Sequence, residues 1–371
     1  KNLKVDKATF DGSTVSYVGI LCGYSKGKKE GSEYVEGIIK SCHVRNSTVN
    51  GKDYIGGIAG CSSGVIEDCS ITESSVTAAD CFNGKTGGIV GHNYGDVTLS
   101  KNIDTEVNGL QSVGGLIGYA SKSTNEFTIS GCSSNGEVIG TENVGGLIGL
   151  LANGNIDDCH STGNVVADFA NYVGGLVGYC KSGTVKNSYH TTGEVSGNKY
   201  VGGLIGYVRG IYISSAVEVT NCHVRLKNDA VTDVKGSAYV GGLIGNVKCE
   251  DKPDAVLISL CSAIGNIEAT DNYACTGGLI GEFVGNTNKT GNNISQCFTE
   301  GKVKADRSGG GLIGIITYCH IIDCYSKSEI YGIDATNRNI GGLVGFSENS
   351  KIENCYAVGI VPTTSRCGGL L

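Results

Sequence analysis

Short runs in which apolar and polar residues alternate recur along the chain, each about four to seven residues long. The clearest is Val144-Gly145-Gly146-Leu147-Ile148-Gly149. Near-copies begin at Gly19, Gly56, Gly87, Gly114, Gly145, Gly174, Gly202, Gly241, Gly277, Gly310, Gly341 and, truncated, Gly368. The eleven intervals are 37, 31, 27, 31, 29, 28, 39, 36, 33, 31 and 27 residues, the range of a solenoid, propeller or array. Each repeat adds a Val/Ile-x-Asn/Asp-Cys element, as in Ile156-Asp157-Asp158-Cys159 and Ile352-Glu353-Asn354-Cys355. A Gly-x-Val element follows, as in Gly136-Glu137-Val138 and Gly193-Glu194-Val195. Turn signals such as Ser63-Gly64, Asn153-Gly154 and Ser182-Gly183 separate the elements, and no stretch sustains a helical period. The chain reads as all-β.

One repeat cannot bury its own apolar side chains, so neighbours must stack. The expected architecture is a β-solenoid, parallel β-helix-like, of about twelve turns of ~31 residues. With strands about 4.8 Å apart, such a rod is about 55–60 Å long. The alternative is a stacked β-hairpin array, because Asn153-Gly154 between apolar runs is also a hairpin signal. The recurring Gly-Gly-Leu-Ile-Gly, Asn-Cys-Tyr and Gly-x-Val segments resemble the GLUG repeat of bacterial surface and secreted proteins. That resemblance implies extracellular, repeat-built proteins: adhesin-like parts and non-catalytic regions of large secreted proteins. Some relatives carry a metallopeptidase domain with His-Glu-x-x-His; no His-Glu pair occurs in this sequence.

Sixty glycines without a three-residue period exclude collagen, and 40% hydrophobic residues with a mean hydropathy of -0.01 argue against disorder. The repeat leaves no room for an independent globular unit, so residues 1–371 read as one elongated domain. The half-finished last repeat reads as a segment of a larger protein, whose open ends flanking repeats or caps would cover. A net charge of -7 with no basic stripe in the sequence argues against nucleic acid as a partner. The longest apolar run, Gly310–Ile322, is too short for a bilayer, which needs about 18–20 apolar residues.

Nine of the 17 cysteines share one slot: Cys42, Cys69, Cys132, Cys159, Cys222, Cys261, Cys297, Cys324 and Cys355. Lys101 and Ser188 are read into it in the other two repeats. In a parallel stack, equivalent Cβ atoms sit about 4.8 Å apart, beyond the ~3.5–4.5 Å of a disulfide. The expectation is a structural column of free, packed thiols. The other eight, Cys22, Cys61, Cys81, Cys180, Cys249, Cys275, Cys319 and Cys367, leave room for one or two disulfides. No Cys-x-x-Cys pair supports zinc, and neither a metal nor a cofactor is expected.

The slot before the Cys, with Asp158, Asn187 and Asn221, reads as a turn ladder whose side chains bond backbone groups. Paired acids such as Glu67-Asp68 and Asp157-Asp158 read as solvated. Four of the six histidines directly follow a Cys or lie one residue past the slot, predicting a surface column. The position after the slot should face outward. It reads His43, Ser70, Asn102, Ser133, His160, Tyr189, His223, Ser262, Phe298, Tyr325 and Tyr356. Its last three residues form a candidate binding column, with Asn288, Asn293 and Gln296 as polar neighbours. Three successive repeats are lengthened by the same six residues, between 207–219, 246–257 and 282–293, as a ridge on the same half. The sequence-level reading is a non-enzymatic extracellular repeat rod at the cell surface, an adhesin stalk or binding and spacer module. Its partner would be a host or microbial surface glycan or protein. The runners-up are a carbohydrate-active β-helix lyase or hydrolase and the accessory region of a large secreted peptidase.

Overall fold

The computed structural model describes residues 1–371 except 31–32, 80–82, 123–126, 211–216, 227–232, 250–255, 272, 287–292, 306, 333–338, 362–366 and 370–371. One turn shows the plan: strands Tyr172–Gly174, Val177–Cys180, Thr184–Lys186, Tyr189–Thr191 and Val195–Gly197 follow one another around the rod. Each pairs in parallel with its equivalents in the adjoining turns, for example Tyr172 with Tyr200 and Val185 with Val219. Three sheets are eleven strands deep, and a fourth is counted as twenty strands because most turns contribute two short strands to it. Those two fuse into one in Ser262–Ala269, Phe298–Ala305 and Tyr325–Gly332. The fold is the expected β-solenoid. Complete turns number fewer than twelve, because the Gly-Gly strand of the first start is reduced to a single bridge, Val18 to Ile55, and that of the last to a two-residue strand.

Parallel pairing between turns excludes the hairpin array. Asn153-Gly154 does turn the chain, with Gly154 at φ 121°, but the strands either side pair with neighbouring turns. Among the described residues the antiparallel pair is Lys28–Glu30 with Glu33–Val35. Second strands are four residues long up to Val177–Cys180 and longer from Ile205–Gly210 onward, with the six-residue Ile205–Gly210 and Ile244–Cys249 and the five-residue Ile280–Val284 in the three lengthened repeats. They absorb part of the matched insertions; the remainder, 211–216, 250–255 and 287–292, lies outside the described residues.

The Gly-Gly pair exists because backbones meet there. A Cβ on Gly146 would stand 2.0 Å from the carbonyl oxygen of Gly175 in the next turn, and one on Gly174 2.1 Å from Val177 O. No side chain fits that approach. Opposite the pair, interior residues reach its carbonyls: Asn102 Nδ2 donates to Gly115 O (2.8 Å) and Thr299 Oγ1 to Gly311 O (2.6 Å). Most of the interior is apolar, a continuous cluster from Val18 to Val344, with buried polar side chains such as Thr86, Ser161, His190 and Thr276 set into it. In the turn above, Val173, Leu176, Cys180, Val185 and Val195 are fully buried.

A left-handed residue makes the corner before the Cys slot. Ser41, Asp68, Leu99, Gly131, Asp158, Asn187, Asn221, Leu260, Gln296, Asp323 and Asn354 all have φ between 50° and 61°. Asn and Asp tolerate this region better than other side-chain-bearing residues, which explains their recurrence.

Candidate functional site

The corner aims the next residue inward and the one after it outward. Inside, the described column cysteines are free and, apart from the partly exposed Cys355, buried. Each thiol donates to carbonyls, as Cys159 Sγ does to Ile129 O (3.4 Å) and Cys222 Sγ to Val185 O (3.3 Å). Each slot atom can also accept the N–H of the slot residue one turn back. Ser188 Oγ takes Cys159 N–H (3.1 Å), Ser100 Oγ takes Cys69 N–H (3.2 Å), and Cys324 Sγ takes Cys297 N–H (3.4 Å). Ser100 therefore fills the slot that the sequence reading gave to Lys101. Lys101 is the outward residue in register with Ser70, and Asn102 is buried. Leu99 in place of Asn or Asp at the corner hid that offset. Burial pushes the thiol up to about 11 at Cys69 and about 12 at Cys61 and Cys180, while hydrogen bonds from neighbouring column thiols lower Cys132, Cys222 and Cys297. Cys22, Cys61, Cys180, Cys249, Cys275 and Cys319 are free as well; Cys81 and the Cys367 side chain lie outside the described residues.

Outside, corner side chains bond side chains of the adjoining turns, where the sequence pattern predicted bonds to backbone groups. Asn221 Nδ2 donates to Asn187 Oδ1 and Asn187 Nδ2 to Asp157 Oδ1, both at 2.7 Å. The paired acids are similarly engaged: Glu67 with Lys40 Nζ (2.7 Å) and Asp68 with Ser41 Oγ (2.8 Å). Among the described residues no group of three or more His, Cys, Asp and Glu could hold a metal ion.

The predicted aromatic column forms a ladder. Phe298 stacks on Tyr325 and Tyr325 on Tyr356, each pair with centroids 5.1 Å apart and planes within 7°. His160 and Tyr189 stack likewise, at 4.8 Å. The ring faces lie on each other, so along the ladder the outer surface meets edges. Gln296 sits at the corner leading into Phe298. Asn293 begins a different row, between Leu257 and His320 in the third sheet, so the structure does not place it in the ladder. Asn288 lies outside the described residues.

The histidines divide. His43 and His223 pair through Nδ1 with Ser70 and Ser262 (2.9 Å each), and His320 Nε2 meets Glu353 (2.6 Å). His190 is not one of the four histidines of the expected surface column. It lies two residues past the slot serine, so alternation turns it into the core, where Nε2 faces Gly193 O and Nδ1 faces Ser161 Oγ (2.9 Å each). Burial lowers its pKa to about 4.

A second aromatic surface was missed by the sequence reading. Tyr172, Tyr200 and Tyr239 stand two residues before the Gly-Gly pair in three successive turns and stack at 5.4 and 5.2 Å. Tyr179 and Tyr207, from the strand after the pair, meet them at 5.0 Å (Tyr172–Tyr179) and 4.9 Å (Tyr200–Tyr207). Their chain neighbours Val173 and Cys180 are in the core, so these rings lie outside; yet Tyr179 is only 7% and Tyr207 8% exposed. Outer side chains of consecutive strands touch this way only where the wall bends inward. The Gly-Gly pair makes that bend, and the tyrosines line a trough along the rod. The signal was the tyrosine recurring before Val-Gly-Gly. A second patch of Tyr17, Tyr24, Tyr54, His92, Tyr94 and Tyr119 occupies the same bend nearer the N-terminus.

The family pattern described as the GLUG motif matches residues 140–166 and 336–361. The chain carries the GLUG motif. The first GLUG match spans one turn, from the trough strand Asn143–Gly145 through the Cys159 corner to Val165. Among solved structures, a "putative immunoglobulin A1 protease" from Bacteroides ovatus is similar over 87% of this chain and 70% of that one, at 16% identity and a TM-score of 0.33. No curated protein matches the sequence.

Proposed function

We propose that this GLUG-repeat solenoid is a non-enzymatic extracellular rod, an adhesin stalk or binding and spacer module presenting a surface to a glycan or protein. One observation carries the reading: outward polar groups are engaged in pairs from turn to turn. Lys186 with Glu218 (2.7 Å), Lys304 with Glu268 (2.5 Å) and the asparagine corner are examples. Hydrolysis or elimination on a sugar needs acid and base groups converging on one bond. Side chains tied into a ladder instead hold the wall together. The test is to incubate the purified chain with neutral polysaccharides, acidic polysaccharides and protein substrates and follow product release. No turnover is expected; reproducible cleavage that purifies with the chain overturns the non-enzymatic reading.

A further inference from the structure

The pairing of outward groups from turn to turn breaks at one place. Along the row that follows the Cys slot, Lys101, Ser133, His160 and Tyr189 are in register in four successive turns. His160 lies against Tyr189 with one face, at 4.8 Å and 4°. The ring stack stops there. The turn before carries Ser133, so the other face of His160 stands open over a small side chain. The equivalent serines are taken: Ser70 and Ser262 are each bonded by a histidine one turn back, His43 and His223 (2.9 Å each). Ser133 has Lys101 there instead.

The missing rung leaves a depression of about 230 Å³ between Ile103, Ser133, Asn135, His160 and Thr162. Asn102 and Ser134, whose side chains point inward, floor it. Its walls belong to 83–122 and 127–210, which are described throughout. Among the described residues, neither ring nitrogen of His160 nor the hydroxyls of Ser133 and Thr162 have a hydrogen-bond partner. Asn135 is drawn to one side, where Nδ2 donates to Asp104 Oδ1 (2.9 Å) and Oδ1 accepts Asp104 N–H (2.8 Å), and its second amide N–H is left over. Burial lowers the His160 pKa, with Asp158 opposing and Lys101 adding, so the ring is neutral at pH 7. Hydroxyls and a neutral imidazole each donate and accept, the match for a ligand itself covered in hydroxyls. A volume below the ~300–1,000 Å³ of drug-sized sites limits that ligand to about one ring.

We propose that this depression binds a single neutral pyranose, the end or a branch of a glycan. The C–H face of the sugar packs on the open face of His160, in the place of the missing ring. Its hydroxyls bond Ser133 Oγ, Thr162 Oγ1 and Asn135 Nδ2. An aromatic side chain would cover the same face but leave those groups unpaired, and an anion would meet Asp158 as well as Lys101. The proposal rests on the rod reading only in that the sugar is held and not cut.

The test is saturation-transfer NMR of the full chain with the methyl glycosides of glucose, galactose, mannose, fucose, N-acetylglucosamine and N-acetylgalactosamine, beside p-cresol and sodium acetate. At least one glycoside should bind with a Kd on the order of 1 mM, its ring protons saturated mainly on one face. Ser133→Tyr supplies the missing ring. It should weaken binding about tenfold or more, with an unfolding midpoint at or above the parent's because a stacked pair is added. Thr162→Val removes a hydroxyl but keeps the shape, and should weaken binding about threefold or more. Ser295→Tyr, on the third sheet, should bind within about twofold of the parent. No saturation of any glycoside at about 20 mM, undiminished binding by Ser133→Tyr, or tighter binding of p-cresol or acetate overturns the proposal. If a glycoside is bound and releases methanol, binding stands and the non-enzymatic reading falls; if none binds, this site falls and the rod reading is untouched.

Discussion

At Gly175, an added Cβ would stand 2.1 Å from the Gly203 carbonyl oxygen and 2.5 Å from the His190 ring. Neither neighbour can retreat, since one is backbone and the other is wedged in the core. Gly175→Ala should cost about 3 kcal/mol or more in denaturant unfolding, the upper end of overpacking penalties. His190 and His92 make a separate prediction. Burial lowers both from 6.5 to about 4, with Lys85 adding to the effect at His92. The folded chain therefore resists protons that the unfolded chain accepts. The stability of the neutral rings is complete above pH 6.5 and is lost as pH falls toward 4, by about 2 kcal/mol per histidine between pH 6.5 and 5. Unfolding free energies over that range should show the slope, and His190→Asn should remove about half of it; an unchanged slope would contradict the burial argument. At the left-handed corner Leu260 has φ 56° and a side chain 48% exposed, so it bears the backbone strain with little packing in return. Leu260→Asn should raise stability by about 1 kcal/mol, read as a higher denaturant midpoint.

At the scale of the strand, the Cys slot works as a ladder of small acceptors, which is why Ser100 and Ser188 can occupy it. Cys324→Ser should keep the bond from Cys297 N–H and cost about 1 kcal/mol or less, whereas Cys324→Ala leaves that donor buried and unpaired, costing about 2 kcal/mol more. In the native chain the buried thiols should react slowly with a thiol reagent, and denaturation should release at least nine from the column. The aromatic ladder should behave as a structural element too. Phe298→Ser/Tyr325→Ser/Tyr356→Ser removes two stacked pairs, each contributing about 0.5–1.5 kcal/mol beyond buried area, and should lower the denaturant midpoint. The Gly-Gly strand, the Cys column and the aromatic ladder were legible because each rests on one kind of residue repeated at one position. The slot at Ser100 was not, because Leu99 and Ser100 replace the Asn/Asp-Cys pair that marks the corner elsewhere. The inward turn of His190 depends on that same count from the slot. The trough was illegible for another reason. Tyr172 and Tyr179 are seven residues apart on different strands, and only the bend between them brings the rings to 5.0 Å.

Across the whole rod each turn touches only the turns before and after it, so stability is a chain of nearest-neighbour terms rather than one indivisible core. Two features vary along that chain. The interior row behind the Gly-Gly pair is polar in the middle, with Asn102, Ser161 and His190 bonded to glycine carbonyls, and apolar earlier, with Val44 and Ile71. Toward the C-terminal end a smaller cluster of Val303, Ala305, Ile330 and Ile340 separates from the main core, and Tyr356, Val358 and Ile360 are exposed. A defect placed in the middle should therefore stay local. In Gly175→Ala the colliding groups belong to the turns beginning at Gly174 and Gly202, and each further turn feels the damage only through its neighbour. Hydrogen exchange read by peptide should show faster exchange in roughly residues 145–240, with protection kept before about residue 115 and between about 277 and 344. The middle carries polar side chains in its interior row, so it should open without dragging either flank with it. Uniform loss of protection from Val18 to Val344 would mean that the rod unfolds as one unit, and the nearest-neighbour account would fail.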